Sequence, residues 1–290
     1  VCSAKPDKGD ENPAHQWRLR LVELLEPDAR TKVLVIGEHA GTTTAMLCAA
    51  IGEPHVQVAV ETSVQAVRAR NALARVGYEP QVLVGEEELV EKAGAYDRVL
   101  VDGVSPRLAE SWTRALRPGG VLVAAIANNF GCAGVVRLEA GEHWLAGPFV
   151  ALADQGELPT LGEKECYVLD ARAEPNGQGV RLEHAPPVDL WEQPDALFAV
   201  GLRLPRLRVA RPGRTHVRWV FDSRSWCRID VATGQAVGFG EACVAGAVND
   251  AYRWWVNRGR PAYRSFGLTV APFGRFAWYG SRRSGYIWSL

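Results

Sequence analysis

Residues 33–41, VLVIGEHAG, run four apolar residues into a glycine, pass three others and reach a second glycine just before the helix-like TTTAMLCAAIG of residues 42–52. A β-branched run, a glycine turn and a helical start in that order open an α/β unit. Four further runs of the same kind follow at 56–61 (VQVAVE), 80–85 (PQVLVG), 97–103 (DRVLVDG) and 120–127 (GVLVAAIA). Their hydrophobicity is nearly continuous rather than alternating, as in parallel strands covered on both faces. Helical spacing fills the gaps, in 63–77 (SVQAVRARNALARVG) and 106–120 (PRLAESWTRALRPGG), with Ser63 expected as an N-cap and Gly77 as a stop. The pattern predicts a doubly wound α/β sheet whose ligand lies beyond the C-terminal ends of the strands.

With 290 residues, 47% of them hydrophobic, the chain can bury one large core or two ordinary ones. No apolar run approaches the roughly 18 residues that span a bilayer. The N-terminal VCSAKPDKGDENPAHQ lacks the basic-then-apolar order of a signal peptide, so a cytoplasmic location is expected. Six scattered cysteines without a C-x-x-C pair read as free or buried thiols, and no metal site is expected.

The net charge of zero conceals an asymmetry. Residues 186–290 hold 15 Arg, no Lys and 7 acidic residues, which leaves 18 basic and 26 acidic residues in 1–185; seven of the ten Trp also lie after 185. Two domains, 1–185 and 186–290, are therefore expected, joined near EHAPPVDL. In the second, LFAVGLRL, THVRWVFD, SWCRIDV, QAVGFG, SFGLTVA and RFAWYG read as short strands, with APFG as a hairpin turn. One helix interrupts them and places Val244, Val248, Ala251 and Trp255 on a single face. This smaller domain is α+β and mostly β.

Two features bear on the ligand. Glu61 ends the second run 20 residues after Gly41, where a carboxylate can accept both ribose hydroxyls of an adenosine. The loop from Gly37 through Glu38 and His39 to Gly41 lacks the G-x-G-x-x-G spacing with which backbone amides meet a pyrophosphate. S-adenosylmethionine carries no phosphate and needs only close backbone approach, so it is the cofactor expected, with Thr62 beside Glu61. His39 stands where a middle glycine is usual; at negative φ its side chain can rim the pocket.

The segments VQVAVETSVQAVRARNALARVGYEPQVLVGE and GAYDRVLVDGVSPRLAESWTRALRPGGVLVA resemble the second to fifth strands of protein-L-isoaspartate O-methyltransferases, and VVRLEAGEHWLAGPFV resembles the hairpin that closes their sheet. The likeness runs over about residues 30–155 and implies a Rossmann-like class I methyltransferase sheet. DAYRWWVNRGRPAYRSFGLTVAPFGRFAWYG resembles the C-terminal extension of actinobacterial relatives that modify ribosomally made, natural-product peptides. Together these imply methyl transfer from S-adenosylmethionine to a side-chain carboxylate of a peptide, giving an ester that can collapse to an aspartimide. They also place Glu86 where the family has an Asp that meets the adenine amine. The chain departs from the family at Val35, usually acidic there, and at His39, usually small. A catalytically degenerate protein that keeps the fold as a partner or binding subunit is the alternative.

Asp102, at the end of the fourth run, is the catalytic candidate, and a structural residue that caps the following turn is its other reading. A carboxylate acceptor needs no base, so Asp102 suits an amine or hydroxyl acceptor better, which would make the chain a small-molecule O- or N-methyltransferase. Catechol-type methyltransferases hold magnesium from this position together with an Asp-Asn pair; here Asn128 and Asn129 supply half of that set. The Arg density at Arg203, Arg206, Arg208, Arg211, Arg214 and Arg218 suits an acidic peptide or protein partner, with Arg206, Arg208 and Arg211 as its contacts; self-neutralisation by the acidic N-terminal half is the competing reading, and nucleic acid and membrane are disfavoured.

Overall fold

The computed structural model describes residues 13–153, 179–182, 185–210, 216–240, 244–283 and 286–290. Helix α1 (Pro13–Leu25) leads into β1 (Val33–Ile36), α2 (Gly41–Ile51), β2 (Val56–Val60), α3 (Ser63–Ala74), β3 (Gln81–Val84), α4 (Gly85–Val90), β4 (Tyr96–Ser105), α5 (Glu110–Arg114) and β5 (Leu116–Ala127). Strands β6 (Ala133–Ala140) and β7 (Leu145–Ala153) form a hairpin, followed by β8 (Val180–Arg181), α6 (Asp189–Glu192), α7 (Pro194–Arg203) and β9 (Arg208–Ala210). The chain ends in β10 (Val217–Phe221), β11 (Trp226–Asp230), β12 (Gln235–Phe239), α8 (Val244–Asn257), β13 (Phe266–Ala271), β14 (Gly274–Tyr279) and β15 (Ile287–Ser289).

All five apolar runs are strands, and they form the parallel half of a ten-stranded sheet ordered β15-β14-β13-β7-β6-β5-β4-β1-β2-β3. The alternation within each run assigns its residues to opposite faces. Val33, Val35, Val56, Val58 and Val60 pack under α1, α2 and α3 with Leu21, Leu47 and Leu73. Leu34, Ile36, Val99, Val101, Leu122 and Ala124 face the other way, into a core shared with α4 and with α6, α7 and α8.

That second core crosses the expected joint at 185/186. Phe198 of α7 meets Phe149 of β7 edge-on, with ring centres 4.7 Å apart, and Phe266 of β13 at 6.1 Å. β13 then pairs antiparallel with β7, Leu268 opposite Gly147, so three C-terminal strands extend the large sheet. The remaining strands form a separate five-stranded sheet, β8-β12-β11-β10-β9. The joint therefore marks a change of composition and does not divide the sheets or the cores.

Two local expectations are corrected. Residues 197–204, read as a strand, lie in and just after α7: Pro194 starts this helix, and every residue from Ala196 to Leu202 is buried. A helix enclosed on all sides shows no 3.6-residue period, so its apolar run looks like a core strand. The N-cap of α3 is Thr62 rather than Ser63, in a capping box with Gln65. The expected face of α8 is as read, with Val244, Val248, Ala251 and Trp255 all buried, and Pro272–Phe273 turn the β13–β14 hairpin.

Docking of that hairpin is tight at Gly267, where an added β-carbon would lie 1.9 Å from the Trp278 ring. Gly267→Ala is expected to destabilise the fold by about 1–3 kcal/mol through overpacking. Denaturant unfolding checks it; an unchanged midpoint would mean that the ring does not lie over β13.

Candidate functional site

Register brings the C-terminal ends of β1, β2, β3 and β4 to one edge, since Ile36 pairs with Ala59 and Val101, and Val60 with Val84. At Gly37 the chain leaves β1 with φ +151°, and a β-carbon there would come within 2.7 Å of the Asp102 carbonyl oxygen. Only glycine permits that approach. The Gly37 amide donates to the Ala59 carbonyl at 3.1 Å, and the loop then enters α2, whose N-cap, Ala40, offers no side-chain acceptor to the first-turn amides.

Along this rim Glu61 is exposed at the end of β2, its amide held by the Gln65 side chain at 2.9 Å. The Thr62 hydroxyl accepts the Gln65 amide at 3.3 Å and is committed to capping α3. Glu38 pairs with Arg68 at 3.6 Å across exposed surface, an ion pair of small energetic worth. His39 is exposed and lies outside the positive-φ residues, and Gly41 approaches Ala72 of α3. Glu86 is exposed in the first turn of α4, directly after Gly85 at φ +79°.

Asp102 does not open onto this rim. It is 0% exposed; its carboxylate accepts the Thr43 hydroxyl at 2.7 Å and faces the Arg18 guanidinium at 3.5 Å. Burial raises its pKa, opposed by Thr43, Arg18 and, more weakly, His39. A general base must reach the proton it removes, whereas Asp102, inside β4, ties α1 and α2 to that strand. The Asp102 carbonyl oxygen is the atom that a β-carbon at Gly37 would meet, so the residue also borders the loop. Sequence reasoning missed both partners: Thr43 stands in a run of three threonines, and nothing marks Arg18.

The two asparagines after β5 are also committed. Asn128 accepts the amides of Phe130 (2.9 Å) and Cys132 (3.1 Å) and donates to the Phe198 carbonyl at 3.3 Å; Asn129 donates to the Pro205 carbonyl at 2.7 Å. They fasten the β5–β6 loop to the C-terminal segment and do not point to a metal. Among the described residues no His, Cys, Asp and Glu group could hold one.

Beyond the ends of β4 and β5 lies a cavity of about 130 Å³, walled by Leu108, Ile126, Phe149, Leu202 and Leu268, with Arg275 of β14 in its lining. Of the arginines singled out in the sequence, Arg206 is exposed beside Pro205, Arg208 lies in β9, and Arg211 and Arg214 fall outside the described residues. Arg203 stacks on Trp254 at 4.8 Å, and Arg218 donates to its neighbour's carbonyl.

Residues 14–141 match the family model of protein-L-isoaspartate(D-aspartate) O-methyltransferase. The chain is 33% identical over 108 residues to the protein-L-isoaspartate O-methyltransferase of Nitrobacter winogradskyi, covering 37% of this chain and 49% of that one. It is also 33% identical over 110 residues to that of Methanopyrus kandleri, with the same coverage. It thus spans about half the length of the curated relatives it matches. A solved protein-L-isoaspartate O-methyltransferase superposes with a TM-score of 0.52 at 16% identity, over 92% of this chain and 81% of that one. The likeness in fold therefore extends through the C-terminal segment. Among the described residues no helix is long and apolar enough to cross a membrane.

The buried triad of Arg18, Thr43 and Asp102 is open to test. Asp102→Ala strands two polar partners inside the fold and should cost about 3 kcal/mol or more, against about 1 kcal/mol for Thr43→Val. Because the folded-state pKa of Asp102 lies above its unfolded value, the folded chain binds this proton more tightly. That contribution is full below the unfolded value of 3.8 and is lost as pH rises through the folded pKa. Denaturant titrations should show wild type losing stability relative to Asp102→Asn as pH rises through this acid window; a pH-independent difference would contradict the raised pKa.

Proposed function

We propose that the chain is an S-adenosylmethionine-dependent methyltransferase whose acceptor is a side-chain carboxylate of a peptide. The observation that carries this reading is the rim itself. A glycine-only exit from β1 lies beside an exposed carboxylate at the end of β2, with no phosphate-binding glycine pattern between them. These residues fit that cofactor: Glu61 can accept both ribose hydroxyls, Glu86 can meet the adenine amine, and Gly37 allows close backbone approach. When bound, the cofactor supplies an electrophilic methyl group.

The chain's own contribution is positioning. A carboxylate is already a nucleophile at neutral pH, so the acceptor requires orientation and water exclusion but no base. A buried Asp102 is consistent with this and weakens the small-molecule reading that relied on it. The apolar cavity beyond β4 and β5 has room to seat the acceptor side chain. A ribosomally made, natural-product peptide is the substrate proposed, from the likeness of the Asp250–Gly280 segment to peptide-modifying relatives. Arg206, Arg208 and Arg211 are proposed as its outer contacts.

His39 supports a second reading. A rim residue larger than glycine suits a protein that keeps the fold as a binding subunit without turnover. His39→Gly separates the two: a degenerate site should gain cofactor affinity, whereas an adapted one should hold or lose it, because glycine loosens the loop. The adapted outcome is expected.

Calorimetry with S-adenosylmethionine tests the main reading. Glu61→Ala should weaken binding at least tenfold, corresponding to loss of about 1.5–3 kcal/mol of charge-assisted hydrogen bonding. Unchanged affinity in a folded variant would place the ribose elsewhere. Replacing Arg206, Arg208 and Arg211 together with Ala should weaken binding of an acidic peptide and its salt dependence while leaving cofactor affinity intact. Binding indifferent to both would remove these arginines from the substrate surface.

A further inference from the structure

The cavity beyond β4 and β5 is walled by aliphatic and aromatic side chains, yet Arg275 of β14 is among its lining residues. At about 130 Å³ it is close to an engineered cavity of about 150 Å³ that accepts benzene, so it has room for one side-chain-sized group and not for a folded segment. Its other polar side chains, Asn128 and Asn129, already make hydrogen bonds within the fold. The Asn128 amide is engaged through both its oxygen and its nitrogen, and the Asn129 nitrogen donates to Pro205. Arg275 differs from them. Its backbone is fixed by pairing with Val270 and by accepting the Leu290 amide at 3.0 Å, while its side chain has no ion pair or hydrogen bond among the described residues.

A half-buried charge against apolar walls is unfavourable without a counter-ion, and arginine cannot escape by losing its proton. The environment makes this worse. Burial lowers the Arg275 pKa, and the nearby charge of Arg107, just beyond β4, lowers it further. Arg107 has no acidic partner among the described residues either. Two guanidiniums without an ion pair among the described residues, that of Arg275 in the cavity's lining and that of Arg107 between the lining residues Pro106 and Leu108, form a receptor in want of an anion. A carboxylate fits best, because it can accept two parallel N–H donors from the planar fork of an arginine.

We propose that Arg275, supported by Arg107, anchors a carboxylate carried on a side-chain-sized group in this cavity. Arg275 is thereby a specificity-determining residue contributed by the C-terminal strands. That this carboxylate belongs to the methyl acceptor rests on the methyltransferase reading; the anion site itself does not.

The test uses the full chain and two small probes that differ by one charge, N-acetyl-aspartate N-methylamide and N-acetyl-asparagine N-methylamide. Calorimetry or ligand-observed NMR should show wild type preferring the carboxylate by about tenfold or more. Arg275→Gln should abolish that preference, Arg275→Lys should retain part of it, and Arg107→Gln should reduce it a few-fold with weaker salt dependence. The proposal is overturned if wild type shows no preference, or if the preference survives Arg275→Gln. Should Arg275→Gln fail to fold, a wild-type preference indifferent to both Arg107→Gln and salt overturns it. Inorganic phosphate binding as tightly as the aspartate probe and displacing it would make this a general anion site and overturn the carboxylate assignment. S-adenosylmethionine titrated in parallel keeps the outcomes apart: absence of cofactor binding defeats the methyltransferase reading alone, whereas loss of the carboxylate preference defeats only this one.

Discussion

A sheet whose parallel strands are apolar on both faces must be covered twice. In this chain α1, α2 and α3 cover one face, but α4 and α5 are too short to cover the other, which continues across β5, β6 and β7 through Leu122, Val136, Leu138 and Phe149. The C-terminal segment supplies the missing layer. Phe198 stands edge-on to Phe149, Asn128 reaches the Phe198 carbonyl, and a β-carbon on Gly201 would lie 2.5 Å from the Asn128 amide nitrogen. The cover is thus fitted to the loop that follows β5. The cavity exists because this layer meets the strand ends, and Arg275 reaches it because β14 is carried there by β13 pairing with β7.

The two oddities of C-terminal composition, excess arginine and excess tryptophan, have a common structural cause. Trp254 lies between the guanidiniums of Arg203, at 4.8 Å, and Arg258, at 4.4 Å, and Arg258 also covers Tyr286 at 4.5 Å. Arg264 lies over Tyr263 at 5.4 Å. Such contacts contribute about 0.5–1 kcal/mol each at exposed sites, more when desolvated, and arginine makes them more often than lysine. The segment's +8 balance is therefore only partly available to a partner. Arginine density read along the sequence overstates the surface that can attract one.

The parallel half of the sheet was legible because β-branched runs bounded by Gly37, Gly77 and Gly85 leave few other folds open. The place of Glu61 directly after β2 was legible because its distance from the loop follows from strand and helix lengths. α7 was not, since enclosure erased its period. Nor was the setting of Asp102, because its partner Thr43 is 59 residues away and its burial depends on packing that no local pattern encodes. Asn128 and Asn129 resembled part of a metal set until the carbonyls they bind, supplied by residues of α7 and the turn after it, were in place. Arg275 had only its membership in an arginine-rich segment to mark it.

Charge is divided across the strand ends. The edge of β1, β2 and β3 carries Glu38, Glu61 and Glu86, while the edge beyond β4 carries Arg107 and, in the cavity, Arg275. At physiological ionic strength exposed charges are screened over about 8 Å, so each field acts locally and the two do not cancel. Under the proposed reading a cationic cofactor approaches the acidic edge and an anionic acceptor the basic one. A further exposed carboxylate between the two edges would repel the acceptor. Burying Asp102 against Arg18 and Thr43 keeps its ties to α1 and α2 while removing its charge from the path.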